Sequence, residues 1–282
     1  MAISLLNNMS SQAAQSKLAA SGNQLNQTLQ RLSSGLRINK SGDDAAGLSV
    51  ANNYRSDISV LSQGVRNAND GLSSLQIVDG GLNTISGLLD RASSLAAQSA
   101  SGTFSGDRAI LTAELTKVVG EIDRQAQNIG LATAAFVPDA TSRFAKQIDV
   151  YVGGGASASA SGNVVSVDLS TSAADSTGLG VGTLNISTEA AAKTAIQTIR
   201  TAVGTLGSIQ GRVGAGQNNL SQAIDLASTQ MTNYQAAESS IRDADIAAEA
   251  SNMSRINTLQ QAGVAALAQA NQSSQAVLSL LR

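Results

Sequence analysis

The side chains that do most enzyme chemistry are missing: the 282 residues include no histidine and no cysteine. That removes Ser-His-Asp triads, cysteine nucleophiles and ordinary zinc sites. It also removes the H-E-x-x-H protease motif. Ser–Lys and paired-carboxylate chemistry remain formally open. The most conspicuous acidic pair is Asp43-Asp44. It is a candidate cation site, but Ser41-Gly42-Asp43-Asp44 reads better as a helix start, where capping oxygens and negative charge are favoured. Asp243 and Asp245 lack the glycine and ligand ladder of a calcium loop and read as a solvated helix face. Gly178-Leu179-Gly180-Val181-Gly182 lacks the Lys-Ser/Thr of a phosphate loop and reads as a turn. This inventory yields no catalytic residue, no metal ligand and no cofactor, so the chain is expected not to be an enzyme.

Composition narrows the class further. The net charge of −2 gives no electrostatic reason to bind nucleic acid or an acidic membrane. Three Phe, three Tyr and no Trp leave the core to Ala, Leu, Ile and Val, which suits long helical packing better than a globule. No apolar run reaches membrane-spanning length, and Met1–Asn8 lacks the charged start and apolar stretch of a secretory signal. The expectation is a chain that stays in the cytosol or leaves by a route that does not read such a signal.

The elements that position these residues are mainly long helices. Apolar side chains at alternating steps of 3 and 4 mark helices packed side by side. The longest such seam is Ala51, Tyr54, Ile58, Leu61, Val65, Ala68, Leu72, Leu75, Val78, Leu82, Ile85, Leu89 and Ala92. One extra step of 3, from Leu75 to Val78, predicts a local stammer. At the helical rise this seam is about 60 Å long. A second helix carries Leu111, Leu115, Val118, Ile122 and Ile129 on one face. A third, from about Thr188, has the seam Ile196, Ile199, Val203, Leu206, Gln210, Val213, Gln217, Leu220, Ile224, Ala227, Met231 and Tyr234, interrupted by two glutamines. Gly64 and Gly71 sit inside the longest helix, where each costs about 1 kcal/mol relative to Ala. Close helix approach and a flexible point are both open readings of them.

In the middle the period changes to two. Ile148/Val150/Val152, Val165/Val167/Leu169 and Leu184/Ile186 alternate with polar or exposed-type residues and read as short strands of one small β-hairpin region, about 145–187. The ends return to helix. Leu18, Leu25, Leu29, Leu32 and Leu36 mark the N-terminal helix, and Ile256, Leu259, Gly263, Ala266, Ala270, Ser273, Val277 and Leu280 the C-terminal one. No residue from Ile256 to Leu281 is charged. Two such helices paired alone bury one stripe each, at about 25 cal/mol per Å². Ordering them costs about 1–2 kcal/mol per residue in backbone entropy. Packing among copies of the same chain adds buried faces, so self-assembly through the ends is the favoured reading over a hairpin that merely closes a monomer. The fold class expected is mainly α: a long antiparallel helical coiled-coil bundle with a small β-hairpin region.

Arg31-Leu32-Ser33-Ser34-Gly35-Leu36-Arg37-Ile38-Asn39, then Asp43-Asp44-Ala45-Ala46-Gly47 and Arg66-Asn67-Ala68-Asn69-Asp70-Gly71, resemble the N-terminal signature of bacterial flagellins. Ser251–Arg255, Leu259–Gly263, Leu267–Asn271 and Val277–Arg282 resemble the other end. The resemblance covers about the first 130 and the last 95 residues in the correct order. It implies a structural subunit that polymerises into the flagellar filament for swimming, exported unfolded by the flagellar type III apparatus and assembled at the distal tip, an extracellular protein of the flagellum. It implies two discontinuous domains: D0, residues 1–43 plus 241–282, forming the filament core, and D1, residues 44–240, a helical rod with the hairpin. No large D2 or D3 outer domain has room. The self-assembly residues would be Leu18, Leu25, Leu29, Leu32, Leu36, Ile256, Leu259, Ala266, Ala270, Val277 and Leu280. Implied partners are other copies of the chain, an export chaperone, the filament cap protein and the hook–filament junction protein. In flagellins recognised by the vertebrate toll-like flagellin receptor, an Arg, a Leu and a Glu are central, and Arg91, Leu95 and Glu114 fall at those positions. Ser93 and Ser94 replace charged residues common there, and the plain alternative is that Arg91 and Glu114 pair across two helices. Two other functions stand beside the filament subunit: a hook–filament junction protein, and a surface-binding module using residues 135–187, against which the scarcity of aromatics argues.

Overall fold

The structure, a computed structural model, describes residues 8–104, 106–132, 147–153, 163–170 and 172–280, with side chains to residue 272. Its elements in order are α1 (Met9–Ser34), α2 (Ala45–Ser99), α3 (Arg108–Asn128), β1 (Gln147–Tyr151), β2 (Val164–Asp168), α4 (Glu189–Arg242) and α5 (Ile246–Leu280). The chain divides into two compact units, residues 1–56 with 233–282, and residues 57–232.

Helix ends follow local chemistry. Asn8 caps α1 by accepting the Ser11 N–H at 3.0 Å, and Gly35, at φ 72°, ends it. Leu36 therefore lies beyond α1 and does not continue the leucine seam expected of that helix; it forms an isolated bridge with Asp243 instead. The acidic pair Asp43-Asp44 divides its work. Asp44 Oδ1 accepts the Gly47 N–H at 2.8 Å and opens α2. Asp43 Oδ2 accepts the Lys40 and Asn39 N–H groups, each at 3.0 Å, and closes the preceding loop. Replacing Asp44 by Ala is expected to cost about 1 kcal/mol, the usual loss of an N-cap, read from the urea unfolding midpoint. Asp243 and Asp245 are exposed, but they occupy the junction between α4 and α5 and not a helix face. Asp245 Oδ1 accepts the Ala247 and Ala248 N–H groups at 2.9 and 3.1 Å, capping α5 where its orphan donors would otherwise be unpaired. Residues 178–182 form a turn, with Gly180 at φ 70°.

In the 57–232 unit the buried seam of α2 runs Leu61, Gly64, Ala68, Gly71, Leu75, Val78, Leu82, Ile85, Leu89 and Ala92. That is unbroken 3-4 spacing. Val65 and Leu72, expected on the seam, are half-buried flanks, and the stammer disappears once the two glycines take their places. The same correction applies to α4. Its buried stripe is Ala192, Ala195, Ile199, Ala202, Leu206, Ile209, Val213, Gly216 and Leu220. Val203 is 40% exposed, and Gln210 flanks the seam, donating to Asn83 Oδ1 at 3.0 Å. No glutamine interrupts it.

The glycines are seats for the hairpin. β1 and β2 pair antiparallel, with Val150 opposite Val165 and Ile148 opposite Val167. A Cβ on Gly71 would stand 2.9 Å from Val150 Cγ2, and one on Gly216 2.8 Å from Val167 Cγ1. At Gly64 it would stand 1.7 Å from the Val152 carbonyl oxygen. The close approach is thus between helix and hairpin as well as between helices, since Gly216 also receives Leu75. Asn67 Nδ2 donates to the Tyr151 carbonyl at 3.1 Å and ties β1 to α2. Val150, Val152 and Val167 are buried.

The third expected strand, Leu184–Ile186, does not form. Local bonds occupy its backbone: the Ile186 carbonyl accepts Ser99 Oγ at 2.5 Å, and Asn185 Oδ1 accepts the Ser187 N–H at 2.8 Å. Such side-chain bonds compete with a sheet ladder. α3 buries Leu111, Leu115, Ile122 and Ala126; Val118 is half-buried, and Ile129, just past the helix, is buried.

Candidate assembly surface and outer-helix site

The 1–56/233–282 unit pairs α1 with α5 antiparallel. Leu18 Cδ1 lies 3.4 Å from where a Cβ on Gly263 would stand, so the leucine packs against the bare backbone of α5. Asn8 Nδ2 donates to the Ala270 carbonyl at 3.1 Å, and Ser11 Oγ to Asn271 Oδ1 at 3.2 Å. At the other end Arg31 pairs with Glu249 at 3.2 Å, with side-chain exposures of only 27% and 12%. The junction is stitched by backbone. Arg37 N–H donates to the Arg242 carbonyl at 2.7 Å, and Ala244 N–H to the Gly35 carbonyl at 2.9 Å. Arg37 Nη2 donates to the Ile241 carbonyl at 2.7 Å, so one arginine satisfies two of the orphan acceptors at the end of α4.

Very little of this pair is buried. Among the described side chains of α1 only Thr28 is buried, and of α5 only Ile256. Leu18, Leu25 and Leu32 are half-buried, and so are Leu36 and Ala270. Leu29 is 43% exposed, Leu259 52% and Val264 57%, and Ala266 is exposed. α5 is helical to Leu280, but the side chains of Val277 and Leu280 lie outside the described residues. These apolar side chains stand exposed on a helix that carries no charge from Ile256 onward.

Arg31, Arg37, Glu249 and Thr28 had no part in the sequence-based site. Arg31 and Arg37 carry a sequence signal only through the flagellin-like run Arg31–Asn39. Asp43, which closes the adjacent loop, is held below the usual carboxylate range chiefly by the Lys40 and Asn39 N–H bonds, with Gln27 and Arg31 adding to them. A carboxyl lowered in the folded state supports the fold above its unfolded pKa and loses that support as pH falls through the folded value. The 39–44 loop is therefore expected to stay ordered at neutral pH and to loosen below the ordinary carboxylate range, followed through the Asn39 and Lys40 amide signals by NMR.

On the outer helices, Arg91 of α2 and Glu114 of α3 are brought together. Arg91 Nε donates to Glu114 Oε1 at 3.1 Å, and Nη2 bonds the same oxygen. Both side chains are substantially exposed. Leu95 is not with them at the surface: it is 2% exposed, inside the core. Solvent screening makes an exposed pair worth little, so Arg91→Ala is expected to cost less than about 1 kcal/mol of stability, measured by denaturant unfolding. Among the described residues no three His, Cys, Asp or Glu side chains gather as a metal site requires, and no helix is long and apolar enough to cross a membrane.

Two family models match this chain. The bacterial flagellin N-terminal helical region covers residues 5–130, and the bacterial flagellin C-terminal helical region covers residues 196–281. The segment left between the two leaves no room for a large outer domain. The chain is 36% identical to a flagellin of Halalkalibacterium halodurans over 92% of its own length and 93% of the relative's. It is 36% identical to the flagellar filament 33 kDa core protein of Treponema phagedenis, covering 98% of both chains. A crystal structure of Bacillus cereus flagellin aligns with 61% of this chain and 94% of that one, at 29% identity and a TM-score of 0.47. With both terminal helical regions matched and the relatives spanned nearly end to end, the chain belongs to the bacterial flagellin family and is a structural, non-enzymatic subunit of the flagellar filament.

Proposed function

We propose that the α1–α5 pair is the polymerising element of this flagellin, D0, built from residues 1–43 and 241–282, and that residues 44–240 form D1. The observation that carries this reading is the exposure of Leu259 and Val264 on a helix with no charge from Ile256 to Leu281. The two side chains that are buried among those described do not offset the backbone entropy of two long helices, about 1–2 kcal/mol per residue. Lateral contacts with other copies supply the missing burial, and the absence of charge lets identical faces stack without repulsion. Leu18, Leu25, Leu29, Leu32, Leu36, Ile256, Leu259, Ala266, Ala270, Val277 and Leu280 are the residues assigned to those contacts. A pair this weak in isolation suits a chain exported unfolded, held by an export chaperone and completed at the distal tip beneath a cap protein, on a base of hook–filament junction protein. For a toll-like receptor, Arg91 and Glu114 are the surface contacts, and Leu95 supports them from the core.

Electron microscopy of heat-dissociated chain, reseeded under polymerising conditions, tests the reading. Long helical filaments are expected. Short stacks, or monomers only, would overturn it in favour of a junction role or a surface-binding role.

A further inference from the structure

Tyr54 and Tyr234 stack with ring centroids 5.5 Å apart and planes 23° apart. Both are half-buried, so neither is sealed in the core. Composition isolates the pair. The chain has no Trp and no Cys, the side chains that compete most readily with tyrosine for a one-electron oxidant, and only three Tyr in all. The third, Tyr151, lies on β1 and Tyr54 and Tyr234 on α2 and α4. A phenoxyl radical formed on either stacked ring therefore has the other ring as its nearest reactive partner.

We propose that Tyr54 and Tyr234 are an oxidative cross-linking site, converted by a peroxide-class oxidant into an intrachain dityrosine that joins α2 to α4. Each phenol loses one electron and its hydroxyl proton. The two phenoxyl radicals then couple through the carbons ortho to their oxygens, forming one C–C bond, and the rings regain aromaticity by moving the ring hydrogens back to oxygen. Two electrons and two protons leave in total. The O–O bond of the peroxide breaks and takes up the electrons: hydrogen peroxide, with the protons, becomes two waters, and persulfate becomes two sulfates while the protons go to solvent. Packed helices run about 8–10 Å apart, a separation that a dityrosine bridges with side-chain rotation alone. Contact in the fold makes the coupling intramolecular, which favours it over coupling between dilute chains. The bond closes a loop from residue 54 to residue 234, and a cross-link over so long a loop restricts the unfolded chain most.

The test uses the full chain, dilute and monomeric, with photoexcited ruthenium tris-bipyridyl and persulfate. The expected product is a monomer lighter by two hydrogens, with dityrosine fluorescence and a cross-linked peptide pair containing Tyr54 and Tyr234. The yield should be at least about tenfold higher than in denaturing urea, where the pre-oriented contact is lost. Tyr54→Phe and Tyr234→Phe keep the aromatic contact and the fold, checked by circular dichroism, and each should abolish the product. Tyr151→Phe should leave it unchanged. Cross-linked peptides containing Tyr151, coupling only between chains, or equal yields folded and in urea would each overturn the proposal.

Discussion

Val264→Asp is expected to leave the single chain folded and to abolish its polymerisation. Val264 is 57% exposed in the isolated chain, so a carboxylate there stays hydrated and costs α5 little. In the assembly proposed above, the same position is covered by neighbouring copies. Burying an unpaired carboxylate costs several kcal/mol at the least, and the cost recurs in every subunit. The helical circular dichroism of the monomer should match that of the parent chain. Seeded elongation, followed by sedimentation and electron microscopy, should fall below detection. Filaments of normal length from the variant would sink the assignment of α5 to the polymer interior. Loss of the monomer's helical signal would instead show that Val264 is needed within the chain.

Gly64→Ala should be the most damaging single methyl group in the 57–232 unit. The added Cβ would lie 1.7 Å from the oxygen, 2.4 Å from the carbon and 2.9 Å from the Cα of Val152. These are backbone atoms and have no rotamer to yield. Either β1 lifts from α2, exposing Val150 and Val152, or α2 bends. Overpacking of this kind costs about 3 kcal/mol, at or above the top of the usual range. Gly80 on the same helix is the internal control, because a Cβ there would meet nothing within 4 Å. Gly80→Ala should stabilise by about 1 kcal/mol through helix propensity alone. Urea denaturation of the two variants should therefore shift in opposite directions. If both shift alike, the hairpin does not sit against Gly64 in solution.

Much of this architecture is legible in the residues. The 3-4 spacing of α2, α3 and α4, the period of two at 148–152 and 165–169, the leucine spacing near the N-terminus and the uncharged C-terminal run all correspond to elements that form. So do the cap at Asp44 and the turn at 178–182. Leu184–Ile186 misleads because alternation over three residues says nothing of whether a neighbouring strand is free to pair. Leu36 misleads because its spacing fits the helix, yet Gly35 adopts a left-handed conformation that ends it. Asp245 looks like a helix face from its surroundings but serves as a cap, a role decided by where α4 stops.

The class of protein is already written in the residues: helices long enough to run side by side, an uncharged C-terminal run of small side chains, no nucleophile or metal set of the usual kinds, and signatures shared with flagellins. Which neighbouring residues form the seam depends on packing. Adjacent positions on a helix differ by about 100°, so periodicity alone locates a stripe to within one residue. A reading by hydrophobicity then takes Val65 over Gly64 and Leu72 over Gly71. What packs there, though, is a hairpin whose valines need the space a side chain would fill. The same holds for Arg91, Leu95 and Glu114: the resemblance to flagellins singles them out together, but the packing of α2 against α3 turns Leu95 inward and pairs the two charges outside. Spacing is a property of one helix, whereas burial is a property of whatever lies against it.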